Sequence, residues 1–140
     1  MKRKSSVNIL DVARYILKQQ GKMGCWKLQK LCYYAQAWTL AWDRKELFSE
    51  DFEAWSNGAV CPSLVLACNG NYLIKPKMIH GKPRKLSKVQ KENIDIVLES
   101  YGNKFQYWLR EQNVSEDPYK STERMKVITK ESMLFYYASL

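Results

Sequence analysis

Apolar residues recur every three or four positions along most of this chain, the spacing that one face of an α-helix requires. The first such stretch follows Asn8, a favourable N-cap residue, and ends at Gly21. The second, over residues 28–42, is apolar on more than one side. Such a helix is expected at the centre of a fold or against a partner. Further helices are predicted near Pro62, Ser87, Asp117 and Thr129, where a capping residue or a helix-initiating proline precedes apolar positions, and a short one is predicted to contain Phe105, Trp108 and Leu109.

The periodicity changes between residues 43 and 60. Leu47-Phe48 and Phe52–Trp55 flank the polar run 49–51, which predicts a short β-hairpin, and Ser56-Asn57-Gly58 is the next turn signal. The patterns together predict a mainly α (α+β) fold. We expect a single compact helical domain with one small β-hairpin over residues 7–140, preceded by a basic flexible N-terminus at residues 1–6.

The chain has 140 residues and a formal net charge of +9, a length that suits one domain. The excess positive charge concentrates at Lys2–Lys4 and in a segment over residues 75–91, whose first part, within the predicted loop 72–85, contains two prolines and a glycine. A solvated surface and a polyanion-binding patch both fit such a segment. No stretch reaches the ~18–20 apolar residues of a membrane span, and no apolar region follows the basic N-terminus. We therefore expect a cytoplasmic protein with no membrane partner.

Residues with catalytic or metal-binding chemistry are sparse. The four cysteines form two C-x6-C pairs, Cys25/Cys32 and Cys61/Cys68, a spacing unlike that of zinc ribbons or redox motifs. Buried thiols and a four-cysteine metal site are the two alternatives. The single histidine, His80, lies in the basic loop, and no nucleophile motif or glycine-rich phosphate loop is present. We expect no enzymatic activity, no cofactor and no metal.

Aromatic residues are abundant, with five Trp, nine Tyr and four Phe. Neighbouring helical residues point about 100° apart, so Tyr33-Tyr34 and Tyr136-Tyr137 are each expected to place one ring outside a narrow core. Trp, Tyr and Arg are the usual anchors of protein interfaces. The composition therefore favours protein binding through a partly exposed aromatic surface.

Several motifs resemble those of one known family. The run K-L-Q-K-L-C-Y-Y-A-Q-A-W at residues 27–38 resembles the opening motif of the Panacea antitoxin domain, a SocA-like family of phage-associated proteins. The runs E-L-F at 46–48, E-A-W-S-N-G-A-V-C-P at 53–62 and E-D-P-Y at 116–119 are similar to its later motifs. Three positions depart from the family pattern: Ala59 replaces a usual Pro, which is expected to loosen that turn, Val114 a common His and Tyr119 a frequent Trp.

The resemblance implies an antitoxin of a toxin–antitoxin system, of phage or prophage origin, that neutralises a cognate toxin by direct protein–protein binding. Two alternatives stay open: a proteolytic adaptor that delivers the toxin to a protease, and a nucleic-acid-binding regulator that uses the basic loop 75–91. The predicted partner-binding residues are Lys27, Lys30, Tyr33, Trp55, Asn57 and Gly58. Each also has a plain structural interpretation: solvated lysines, a core role for Trp55, and turn formation by Asn57 and Gly58.

Overall fold

The computed structural model describes residues 5–140, so the basic cluster Lys2–Lys4 lies outside the described part of the chain. This part contains seven α-helices and five short strands, with two short 3-10 helices at Pro76–Met78 and Pro83–Lys85. The helices are α1 (Ile9–Gln20), α2 (Cys25–Asp43), α3 (Pro62–Cys68), α4 (Lys88–Tyr101), α5 (Gln106–Ser115), α6 (Asp117–Lys120) and α7 (Lys130–Ala138). The strands are β1 (Met23–Gly24), β2 (Phe52–Trp55), β3 (Gly58–Val60), β4 (Leu73–Ile74) and β5 (Val127–Ile128). The prediction of a mainly helical fold is confirmed.

The helix boundaries follow the capping signals of the sequence. Asn8 caps α1, and its side chain and that of Asp11 form a reciprocal capping box. Gly21 ends the same helix with a φ of +85°, a conformation that few residues other than glycine adopt readily. Ser87 and Gln90 form the predicted capping box of α4, and Thr129 caps α7. The N-cap of α6 is Glu116, one residue before the predicted Asp117.

Helix α2 is the centre of the fold. It packs against α1, α3, α4, α5 and α7, and 14 of its 19 residues are buried. Two of the buried residues are glutamines that bind the backbone on either side of the small sheet. The Gln29 side chain accepts from the Cys61 N–H and donates to the Cys61 carbonyl, and Gln36 does the same for Leu47 N–H and the Phe48 carbonyl. The apolar pattern of α2 therefore reflects a central position in the fold.

A β-hairpin is present, but the prediction that residues 47–48 form its first strand is wrong. Strand β2 pairs with β3 through the turn Ser56-Asn57, with Trp55 opposite Gly58, and residues 47–48 form no strand. The physical reason is Gln36, which satisfies the backbone groups of Leu47 and Phe48 that a strand partner would otherwise bind. Strand β5 adds to the other edge of β2, giving the order β3-β2-β5, and β1 and β4 form a separate two-stranded pair.

The predicted loop at 72–85 is anchored to α1. Ile74 and Ile79 are buried, and the Lys82 N–H donates to Asp11 Oδ1 at 2.7 Å. Gly81 lies against α1 so closely that a Cβ atom there would stand 1.9 Å from the Leu10 carbonyl oxygen. Asp11 thus caps its own helix and also fixes the basic segment. The segment has a defined backbone, and most of its Lys and Arg side chains are exposed.

The expectation that one ring of the Tyr33-Tyr34 pair would be exposed is wrong, since both side chains are completely buried. Tyr33 packs edge-on against Tyr34 and Phe52, and Tyr34 stacks on Tyr101 at 4.1 Å between ring centroids. Because α2 is surrounded by other elements, two adjacent faces of it are covered at this level. The second pair divides as expected, with Tyr137 buried and Tyr136 partly exposed.

Candidate partner-binding site

A small cavity opens between the start of α2, the β2–β3 turn and the first turns of α5. Its volume is about 120 Å³, and it is lined by Trp26, Lys30, Asn57, Gln106, Tyr107 and Arg110. Lys30 is the only buried residue among these six, so it forms the floor of the cavity. We call this cavity, with Gly58 and Asn113 behind it, the Lys30 pocket.

Lys30 carries an ammonium group in an unfavourable environment. Its side chain is 1% exposed, and its Nζ atom has no hydrogen-bond partner within residues 5–140. Burial lowers the pKa of Lys30 from its ordinary 10.5 to about 7; Cys25 opposes this effect and Arg110 adds to it. A buried amine without a partner costs stability. Such a group is therefore a candidate for a functional role.

Gly58 leaves the space that the Lys30 side chain occupies. Its φ is +105°, and a Cβ atom at this position would lie 2.6 Å from Lys30 Cε and 2.7 Å from Asn113 Oδ1. Asn113 Oδ1 accepts a hydrogen bond of 2.7 Å from the Ala59 N–H. Because an N–H must face an oxygen, this bond fixes the amide orientation of Asn113. Its Nδ2 group then points elsewhere and has no partner in the described chain.

The rim of the pocket is aromatic and cationic. Tyr107 is 73% exposed, and Trp26 and Arg110 are partly exposed. Arg110 Nη2 donates to the Ser56 carbonyl at 2.9 Å, which ties α5 to the hairpin turn. Gln106 Oε1 accepts from the Tyr72 hydroxyl at 3.2 Å. Trp, Tyr and Arg side chains around a recess are typical of an interface hot spot.

The structure brings together three of the six residues predicted to bind a partner: Lys30, Asn57 and Gly58. Tyr33 lies about one turn further along α2, in the core, and has no exposed surface. That position gives it no direct contact with a partner in this conformation, because the ring is covered by Tyr34, Phe52 and Tyr137.

Trp55 and Lys27 lie near the pocket in sequence but do not line it. The partly buried Trp55 ring donates from Nε1 to Glu53, and the Trp55 carbonyl accepts from the Tyr119 hydroxyl at 2.6 Å. These contacts therefore fix the end of strand β2 and tie it to α6. Lys27 is partly exposed, and burial of part of its side chain lowers its pKa.

Five residues of the pocket were missed from the sequence: the lining residues Trp26, Gln106, Tyr107 and Arg110, and Asn113 behind them. Gln106 and Arg110 are four residues apart on α5 and share a helix face, with Tyr107 beside them. The signal that could have found them is a polar helix that carries an exposed Tyr and an Arg at adjoining positions. Their proximity to Lys30, about 80 residues earlier, depends on the packing of α5 against α2.

A second polar cluster lies inside the core. The buried carboxylate of Glu116 accepts from Tyr34 at 2.8 Å, from Tyr137 at 2.6 Å and from Gln112 at 2.8 Å. Burial, together with the adjacent carboxylate, raises the pKa of Tyr34 and Tyr137 above the usual range. Both hydroxyls therefore stay protonated and act as donors, and the cluster holds α5–α6, α2 and α7 together.

The cysteines are all buried as thiols. Cys25 and Cys68 are neighbours with 3.0 Å between their sulfur atoms. Within residues 5–140, no group of three or more His, Cys, Asp or Glu side chains is arranged to hold a metal ion. Over the same residues, no helix combines the length and apolar character needed to cross a membrane.

Comparison with known families gives one match. The family model of the antitoxin SocA-like, Panacea domain matches residues 28–131, which include α2 from Leu28 onward, the small sheet, α5 and every lining residue of the Lys30 pocket except Trp26. A search of curated proteins found no significant match, and a search of solved structures found none either.

Proposed function

The chain belongs to the SocA-like Panacea antitoxin family and thus has a toxin–antitoxin related role; we propose that it is an antitoxin that neutralises a cognate toxin by direct protein–protein binding. The proposal places the contact at the Lys30 pocket and its rim. Its action would be stoichiometric masking of the toxin, without a catalytic step.

The observation that carries this proposal is a buried lysine, Lys30, which lines an open pocket with an aromatic rim and whose ammonium has no partner in residues 5–140. Folding alone does not favour such an arrangement, because a buried amine without an acceptor reduces stability. A partner that supplies the acceptor would remove that cost. The exposed aromatic and Arg side chains of the rim would provide the remaining contact area.

The proposal that the chain is not an enzyme has its own support. The cluster with most resemblance to acid–base chemistry, Glu116 with Tyr34 and Tyr137, is sealed in the core, where no substrate reaches it. Its three donors satisfy the carboxylate, as expected of a structural network.

Co-expression tests the proposal. The product of the adjacent gene is expressed from an inducible promoter, with and without this chain carrying an affinity tag. We expect the neighbour alone to stop growth, the pair to restore it, and the two proteins to co-purify. Growth arrest that persists in the presence of this chain, with no co-purified complex, would contradict the proposal.

A nucleic-acid-binding role is the second candidate, and the basic segment 75–91 favours it. Lys75, Lys77, Lys82, Arg84 and Lys88 are exposed on this segment, which is anchored to α1. Such an array would bind phosphates with a strong dependence on salt. A gel-shift series with the operon's own promoter DNA, from low to high salt, tests it, and no shift at low salt would remove it.

Delivery of the toxin to a protease is an implication of the family resemblance. It predicts a shorter half-life of the toxin in cells that contain this chain. A pulse-chase measurement with and without the chain separates delivery from masking, because masking leaves the half-life of the toxin unchanged or longer.

A further inference from the structure

We propose that the Lys30 pocket receives one carboxylate side chain, an Asp or Glu of the toxin, which pairs with Lys30 between the rim residues Trp26, Tyr107 and Arg110. This inference rests on the proposed function and names the chemistry of the contact. It concerns one side chain of the partner, as the small volume of the cavity requires.

The pocket contains donors and lacks an acceptor of matching charge. Lys30 Nζ and Asn113 Nδ2 are both buried donors without a partner in residues 5–140. Arg110 adds a second cation at the rim, where it already forms a surface ion pair with Glu111, and none of the six lining residues is acidic. Since buried polar groups in proteins are almost always paired, the missing group is an anion or a strong acceptor.

The hairpin backbone leaves room for the Lys30 side chain at Gly58. Any side chain at position 58 would collide with Lys30 Cε and Asn113 Oδ1, and the positive φ of Gly58 favours glycine independently. Gly58 and Lys30 therefore depend on each other. Because Gly58 has no side chain, Lys30 can occupy the space beside it. Lys30 is unpaired in the described part of the free protein.

Size and charge favour a carboxylate from a protein. A cavity of about 120 Å³ has room for the end of one acidic side chain. The net charge of +9 complements an acidic partner surface. Trp26 and Tyr107 would cover the ion pair from water, which strengthens it.

The test is a binding measurement between this chain and the purified product of the adjacent gene. Lys30→Met keeps the length and apolar stem of the side chain and removes the ammonium. We expect at least ~30-fold weaker binding, as for loss of one member of a buried charged pair. Lys18→Met, which removes an exposed lysine on α1, is the matched control and should bind like the unmodified protein. Thermal unfolding of each variant confirms that it is folded.

Substitutions in the toxin identify the carboxylate that enters the pocket. Each exposed Asp and Glu of the toxin is changed to Asn or Gln and measured against both forms of position 30. The expected result is one toxin variant that loses affinity for the unmodified chain and loses no more when Lys30 is Met. A toxin extended by two residues at its C-terminus tests the competing source. If only the extension removes binding, the terminal carboxylate occupies the pocket and the side-chain assignment is overturned.

The pH profile gives a readout that a structural role of Lys30 would not produce. Only protonated Lys30 pairs with a carboxylate, and Cys25 and Arg110 are the titratable groups that act on it. Affinity should therefore fall above pH 7, approaching tenfold per pH unit, and this dependence should be absent in Lys30→Met.

The binding results for the unmodified chain and for Lys30→Met distinguish failure of this inference from failure of the proposed function. If the unmodified chain binds the toxin and Lys30→Met binds within threefold of it, the inference is overturned and the antitoxin function stands. If the unmodified chain does not bind the toxin, both are overturned. If Lys30→Met loses only a DNA gel shift, the pocket binds phosphate and the carboxylate assignment is wrong.

Discussion

Gly58 lies so close to Lys30 that a Cβ atom on the glycine would stand 2.6 Å from Lys30 Cε. Gly58→Ala should therefore combine backbone strain with a steric clash. We expect a loss of about 2–5 kcal/mol in the free energy of unfolding, from positive-φ strain and overpacking together. Urea unfolding measures it.

Gly21→Ala is the matched control for this change. Gly21 also has a positive φ, +85°, but a Cβ atom there would meet nothing within 4 Å. With its ψ of −178°, Gly21 lies in a backbone region that is essentially restricted to glycine, so its substitution should cost only the strain, about 1–3 kcal/mol. Equal losses at positions 58 and 21 would show that the contact with Lys30 has no energetic consequence.

Lys30→Met should stabilise the free protein. The pKa of Lys30 is about 7 in the folded state and 10.5 ordinarily, so above pH 7 the unfolded state binds more protons than the folded state. The contribution of Lys30 to the stability of the unmodified protein should therefore rise with pH, by about 2 kcal/mol between pH 7 and 8.5, and the full penalty of the buried charge acts below pH 7.

The difference between the two proteins isolates this effect. Burial raises the pKa of Cys32 and Tyr137, which lowers stability at higher pH in both proteins equally. Subtracting the unfolding free energies at each pH removes these contributions and leaves those of Lys30 and of Cys25, whose pKa Lys30 lowers. The advantage of Lys30→Met should shrink from pH 6 to 8.5; a constant difference would contradict a depressed pKa of Lys30.

Ala59→Pro restores the residue that is usual in the family and should destabilise this chain. Proline has no N–H, so Asn113 Oδ1 would lose its 2.7 Å bond while buried. The expected loss is about 1–3 kcal/mol. In an Asn113→Ala background the same change should cost less, since no acceptor remains there. An unchanged cost in that background would assign the effect to backbone geometry.

Tyr137→Phe should destabilise the fold through the Glu116 cluster. The Tyr137 hydroxyl donates to Glu116 at 2.6 Å inside the core, and a bond to a charged group contributes about 1.5–3 kcal/mol. Tyr136→Phe is the neighbouring control, because within the described chain the Tyr136 hydroxyl makes no hydrogen bond. Thermal unfolding compares the two. Equal effects would show that the cluster has no special role in stability.

Local signals predicted the helices well, and tertiary contacts explain the failures. Asn8, Gly21 and Ser87 mark helix ends because capping depends on neighbouring residues only. The strand assigned to residues 47–48 fails because Gln36, eleven residues away from Leu47, binds the backbone there. Tyr33 was expected to bind a partner, but the surrounding rings bury it completely.

The candidate site was predicted only in part, because some of its residues are brought together by tertiary contacts. Lys30, Asn57 and Gly58 lie in the motifs that carry the family resemblance, and the structure unites them. Arg110 and Tyr107 come from a helix far along the chain, and their role depends on how α5 docks beside α2. Ala59 was expected to loosen its turn, and the structure adds a bond from its N–H to Asn113 Oδ1, a contact that spacing along the chain does not reveal.

Direct neutralisation is the central claim, and a titration with purified components tests it most directly. The toxin encoded by the adjacent gene is mixed with increasing amounts of this chain, in buffer that contains no protease, nucleic acid or nucleotide. Toxin activity and the mass of the complex in solution are then measured. We predict a complex of fixed stoichiometry and loss of toxin activity at the same ratio. Full toxin activity at a large excess of this chain, with both proteins remaining separate, would contradict the account.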